Sequence, residues 1–247
     1  CSGRSDNNDD DGGNGDGGDG GNGDDAITIY AVQNPAEANH PGDGGEVYVK
    51  GVVVITPMFE GHEGVSTGPD SFYAAETEGG PYSGIYVLGK NAASVPGVVM
   101  GDTVDIRGTY YENDQTPSFG NGVIDATEII KVGTAALPAP DVVDVAQVYT
   151  DGADAEQYEG CLIKIENVSV SNADAGHGDF TVKQTGAEEL YVSPKFDFNY
   201  TYDPVADDAF NYITGVLEFS YSEFRLQPRM CDDLIDGSGN PVCESQE

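Results

Sequence analysis

Apolar and polar residues alternate along most of this chain in short runs, and glycine, proline and acidic turns separate the runs. A period of two over five to ten residues reads as strand rather than helix. Ile27-Thr28-Ile29-Tyr30 opens the series. Residues 46–55 follow as a long strand with Gly51 at its centre. Residues 71–76 and 84–88 come next, parted by the turn Gly79-Gly80-Pro81. Residues 101–111 and 122–131 complete the set. Five main strands joined by short loops predict a small closed barrel.

The pattern then breaks at a proline-containing stretch, residues 134–158, which reads as a linker with a short helix in Val142 to Val148. A second series of five strands follows at residues 161–170, 179–183, 189–192, 211–219 and 223–229. Both halves run in one order: a long first strand, a hairpin, a glycine-containing fourth strand and a short closing strand. Ile106-Arg107-Gly108 in one half matches Ile213-Thr214-Gly215 in the other. This is an internal repeat with little literal identity. The expected organisation is a tail at 1–25, a first barrel at 26–133, the linker at 134–158, a second barrel at 159–237 and a C-terminal arm at 238–247.

Composition reinforces the all-β reading. Tyrosine, valine and isoleucine dominate the apolar set and tryptophan is absent. In residues 1–25, Asp, Asn and Gly fill 21 positions, so nothing there buries apolar area against the entropy of ordering glycine. A flexible, self-repelling spacer is expected. The same residues offer hard oxygen ligands, and Asp9, Asp11, Asp16 and Asp19 are the candidate set for weak calcium binding. That segment lacks the closing Glu and flanking helices of an EF-hand.

The formal net charge is −34, of which the tail carries −7, so the folded part is itself strongly acidic. Such a surface repels phosphate backbones and anionic headgroups and attracts cations. Ten basic residues against 44 acidic ones argue against nucleic acid as a partner. The longest apolar run, Val52-Val53-Val54-Ile55, is of strand length, far below the roughly 20 residues of a membrane-spanning helix.

Cys231 and Cys243 flank a polar turn, Asp236-Gly237-Ser238-Gly239-Asn240-Pro241, and are the favoured disulfide pair. Cys161 sits in an apolar strand and reads as a small buried hydrophobe. The start, Cys1-Ser2-Gly3, resembles that of a mature bacterial lipoprotein, whose first cysteine carries the lipid. That resemblance implies an exported protein held at the outer membrane or cell surface through Cys1.

Tyr158-Glu-Gly-Cys-Leu-Ile-Lys-Ile-Glu-Asn-Val-Ser-Val170, Ile213-Thr-Gly-Val-Leu-Glu-Phe-Ser-Tyr-Ser-Glu-Phe-Arg-Leu-Gln-Pro-Arg229 and the following Asp232-Asp-Leu carry a second resemblance. They are similar to bacterial extracellular OB-fold domains, which accompany secreted nucleases, lamin-tail modules and surface lipoproteins. The first half resembles the same family through Gly101-Asp-Thr-Val-Asp-Ile-Arg-Gly108. The resemblance spans residues 27 to 237 and its motifs are structural. It implies two tandem five-stranded OB-fold-like barrels, not an activity.

Catalytic constellations are weak. His40, His62 and His177 each sit among glycines and acids, and none has a second His or a Cys at metal-ligand spacing. His62 with Glu60 and Glu63 is the best local cluster. A non-catalytic role is expected. OB folds bind ligands on the face of strands two and three and on the flanking loops. The first barrel offers Phe72 or Tyr73, Tyr82 and Tyr86 there, with Arg107 nearby; the second offers Phe180, Lys183, Tyr191 and Lys195. The expected function is a lipid-anchored extracellular module for a glycan or protein ligand. The alternative is a self-assembling, cation-bridged subunit of a surface layer or filament, in which the partner is a second copy of the chain.

Overall fold

The computed structural model describes residues 25–61, 69–112, 121–193, 196 and 202–243. The protein is almost entirely β. Strands β1 (Glu46–Val54), β2 (Ser71–Ala75), β3 (Gly84–Leu88), β4 (Asp102–Glu112) and β5 (Gly122–Thr134) close into a barrel in the order β1-β2-β3-β5-β4. All neighbours are antiparallel except β3 and β5.

The second half has the same ring. Strands β7 (Leu162–Gly176), β8 (Asp179–Lys183), β9 (Leu190–Val192), β10 (Ala209–Ser220) and β11 (Glu223–Gln227) pair in the order β7-β8-β9-β11-β10, and β10 returns to β7. Again the single parallel pair joins the third strand to the fifth. Two short strands decorate it: β6 (Asp141–Val142) runs beside β7, and β12 (Leu234–Asp236) lies beside β10.

The repeat holds residue by residue. Glu46-Val-Tyr-Val-Lys-Gly-Val-Val-Val54 superposes in pattern on Leu162-Ile-Lys-Ile-Glu-Asn-Val-Ser-Val170. The sixth residue of each, Gly51 and Asn167, has positive φ, 63° and 54°. Gly and Asn are the two types that adopt this conformation most easily.

Residues 27–30 do not begin a strand. Ile29–Gln33 is a short helix, α1. Thr28 caps it by accepting the Ala31 N–H at 3.1 Å, and Ile29 and Val32 enter the barrel core. The linker helix α2 (Val145–Val148) is its counterpart: Asp144 is the cap residue, and Val145 and Val148 enter the second core. Just before each cap, Ile27 N–H donates to the Tyr48 carbonyl (2.9 Å) and Val143 N–H to the Lys164 carbonyl (3.0 Å). Each repeat is therefore a capped helical turn followed by a barrel, and the turn adds two side chains to the barrel core.

A third apolar cluster joins the barrels. Ile55, Phe59, Tyr73, Ala75, Tyr86, Leu88 and Val123 of the first half meet Leu162, Phe196 and Val216 of the second. Backbones touch at Gly84 and Gly160; a Cβ on Gly84 would lie 2.1 Å from the Gly160 carbonyl oxygen. Hydrogen bonds surround this seam. Tyr82 N–H donates to the Gln157 carbonyl (2.6 Å), Phe219 N–H to the Asn121 side chain (2.9 Å), and the Arg229 guanidinium to the Ile55 carbonyl (3.3 Å). Arg229 is held in turn by Asp233 through two side-chain bonds of 2.9 and 2.8 Å. Cys231 and Cys243 form a disulfide with their Cα atoms 5.3 Å apart, which ties down the segment containing β12. Cys161 is a buried free thiol beside the seam, and burial pushes its pKa up to about 11.

Candidate ligand-binding face

Strand pairing sets one row of outward side chains across each barrel. In the first barrel the row is Tyr73 on β2, Tyr86 on β3 and Val123 on β5. In the second it is Thr181 on β8, Tyr191 on β9 and Arg225 on β11. The rows are equivalent in topology and opposite in environment.

The first row is sealed. Tyr73 is 0% exposed and Tyr86 is 5% exposed, both against the second barrel. Phe59 stacks on them at 6.0 and 5.7 Å, and Phe196 packs on Phe59 at 5.2 Å. The Tyr86 hydroxyl donates to the Gly61 carbonyl at 3.0 Å. Burial raises both phenol pKa values, and for Tyr73 the nearby Glu218 carboxylate adds to the rise. The expectation that Tyr73 and Tyr86 present a ligand platform is thus corrected: they are the adhesive between the barrels. Phe72 and Phe180 point into the barrel cores.

Two other expected members lie apart. Tyr82 sits in the turn before β3 with φ 60°, and its ring meets Tyr30 edge-on at 5.8 Å. Arg107 is on β4, opposite Tyr48 of β1 and Glu128 of β5. Its guanidinium covers the Tyr48 ring at 3.5 Å and pairs with Glu128 at 3.6 Å. It belongs to a different face from Tyr73 and Tyr86.

In the second row Thr181 and Arg225 are themselves buried, and Tyr191 keeps an edge in solvent. Tyr191 and Lys183 are half-buried on the outer face. Arg225 is 9% exposed and lies 5.0 Å from the Tyr191 ring. Its Nε donates to the buried Asp179 carboxylate at 3.1 Å, and its Nη1 donates to the carbonyls of Ser220 and Glu223. Thr181 is shared between Ser171 (2.8 Å) and the Glu189 carboxylate (3.0 Å).

Two hairpin tips border this row. His177-Gly178 joins β7 to β8 and Tyr221-Ser222 joins β10 to β11; all four residues have positive φ. Two-residue hairpins of this kind match the right-handed strand twist and favour Asn-Gly. The second tip carries Tyr instead, at φ 53°, with its side chain 66% exposed. The His177 and Tyr221 rings are parallel within 5° at 6.5 Å, and Tyr221 also lies 5.5 Å from the Arg225 guanidinium. One guanidinium therefore joins both tips to the Tyr191 strand. In an OB barrel these tips are the loops that frame the ligand face.

Sequence reasoning reached Tyr191 and Lys183 but missed Arg225, Asp179, Thr181, His177 and Tyr221. The sequence held no signal that separates the two rows: Tyr86 and Tyr191 lie in similarly apolar runs, and only the fold buries β2 and β3 at every position while leaving Tyr191 of β9 half-buried.

Asp9, Asp11, Asp16, Asp19, Cys1, His62 and Lys195 lie outside the described residues. Among the described residues no group of three or more His, Cys, Asp or Glu side chains is placed to hold a metal ion. No helix among them is long and apolar enough to cross a membrane. No protein-family model and no curated protein sequence matches the chain.

Proposed function

We propose that this protein is a non-catalytic extracellular binding module, held at a bacterial surface by a lipid on Cys1, whose second barrel takes a glycan on the Thr181–Tyr191–Arg225 face. The observation that carries the reading is the asymmetry of the two rows. The first barrel spends its ligand face on joining the second, and the second leaves the same face uncovered at Tyr191, beside Tyr221, Lys183 and Glu189 and over the buried Arg225–Asp179 pair. A site with an apolar platform and a few fixed polar groups is the usual make-up of a ligand surface. A protein ligand is the other occupant this face suits.

The seam argues against a filament built by repeating the same joint. The docking patch of the second barrel is the apolar cross-strand pair Leu162–Val216. Its counterpart in the first barrel is the polar pair Glu46–Thr109. A further copy cannot dock through that pair as the second barrel does. Self-assembly would need another surface, with cations to offset the charge of −34.

The test is a glycan-array screen of the soluble chain, followed by Tyr191→Ala. A hit that weakens about tenfold, or ~1.4 kcal/mol, with unchanged thermal stability supports the reading. A hit that binds the variant as tightly as the parent removes this face from the function.

A further inference from the structure

We infer that the face of the second barrel selects an uncharged saccharide over anionic or cationic ones; the inference rests on the glycan reading above. Charge is what decides. Arg225 is the one guanidinium on the row, and its charge is already matched by Asp179 at 3.1 Å. Two carbonyls hold its Nη1. A ligand carboxylate, sulfate or phosphate would have to displace those partners and leave Asp179 buried without its cation, a costly exchange. Among the described residues, two cations, Arg225 and Lys183, stand around the row against four carboxylates, Asp179, Glu189, Glu218 and Glu223. The chain as a whole adds a field of the same negative sign.

A cationic ligand meets a different obstacle. Tyr191 and Tyr221 would be its ring partners, yet both already lie beside the Arg225 guanidinium, at 5.0 and 5.5 Å. A second cation at those rings would be repelled by the guanidinium already beside them. A neutral pyranose meets neither obstacle. Its C–H face stacks on an aromatic ring. Its hydroxyls donate to the exposed Glu189 carboxylate and accept from Lys183. Tyr221 has a further property suited to this role: a bulky side chain held at positive φ on a tip where it stays 66% exposed is conformationally unfavourable and gains little burial.

The experiment is isothermal titration of the full soluble chain with hexasaccharides of three charge classes. The neutral probes are cellohexaose, maltohexaose, xylohexaose and mannohexaose; the anionic ones are hexagalacturonate and a heparin hexasaccharide; the cationic one is a chitosan hexamer. At least one neutral probe is expected to bind, with affinity changing less than about twofold between about 0.05 and about 0.5 M NaCl, because no net charge is screened. Tyr191→Ala and Tyr221→Ala are each expected to weaken it roughly tenfold, the scale of one aromatic stacking contact, with melting temperature retained. Preferred binding of a charged probe, weakened by salt and by Tyr191→Ala, overturns the neutral selectivity while leaving the glycan site in place. Failure of every probe to bind overturns both.

Discussion

Tyr86 and Tyr191 occupy the same position in the two barrels, each facing outward across the parallel strand pair, from Val123 in one case and Arg225 in the other. Tyr86 is sealed beneath the second barrel and Tyr191 is half open to solvent. One site of the repeat is thus used for cohesion, and its copy keeps an edge in solvent.

That division fixes how the two rings respond to truncation. Tyr86→Ala removes a fully packed ring that also anchors Phe59 and the Gly61 carbonyl. A loss of about 3–5 kcal/mol is expected in urea unfolding. Tyr191→Ala should cost less than about 1 kcal/mol. Equal losses would mean that the second face is as tightly packed as the first.

The seam contains a carboxylate that favours acid. Glu159 is buried and accepts the Gly122 N–H at 2.5 Å. Burial first, then the neighbouring Glu156, Glu112 and Glu218 carboxylates, raise its pKa well above the ordinary value; only the Gly122 bond opposes this. Glu156 is raised too, by burial and Glu112. Between an unfolded Glu pKa of about 4.3 and these higher native values, the folded state binds more protons than the unfolded one. Stability therefore falls as pH rises through that window. Glu159→Gln, which keeps the acceptor for Gly122, should raise the melting temperature at neutral pH and flatten its decline as pH rises above the ordinary carboxylate range. A variant with the parent's slope would place the pH response elsewhere.

The exposed hairpin tip offers a trade between stability and binding. Replacing Tyr221-Ser222 with Asn-Gly supplies the pair this turn geometry prefers. A gain of about 0.5–1 kcal/mol is expected in thermal unfolding, together with loss of glycan affinity. Retained affinity in this double variant would exclude Tyr221 from the site.

The close backbone approach at Gly84 and Gly160 is a further point of control. Gly84→Ala places a methyl group against the Gly160 carbonyl, so the barrels must separate there. Since the seam is a shared apolar cluster, the variant should unfold in two steps in differential scanning calorimetry, where the parent unfolds in one. A single unshifted transition would show that the seam tolerates a wider gap.

The C-terminal disulfide closes a short loop, with a sequence separation of 12. Chain-entropy reasoning assigns such a loop about 3 kcal/mol. Cys231→Ser with Cys243→Ser should lower stability by roughly that amount in denaturant titration. Arg229, which bridges Asp233 to the Ile55 carbonyl, lies next to this loop, so the first barrel should loosen with it.

By itself the sequence determined the elements and their repetition. Short apolar runs bounded by turns located each of the ten barrel strands, and where one face is buried, as in β4, the alternation records the period locally. Sequence reasoning missed β6 at Asp141–Val142, β12 at Leu234–Asp236 and the extension of β7 to Gly176, and at Ile27–Tyr30 a short apolar run misled it. There the cap at Thr28 and the burial of Ile29 and Val32 select a helical turn, which a four-residue pattern cannot distinguish from a strand. Which outward face meets water was decided by the tertiary structure alone. A local period separates the two sides of a strand but does not say what covers the outer one. The covering groups, Leu162, Phe196 and Val216, lie in the second half of the chain, far from Tyr73 and Tyr86. In the same way Asp179, Tyr191, Tyr221 and Arg225 come from separate strands and turns, and only barrel closure with its fixed register brings them around one guanidinium.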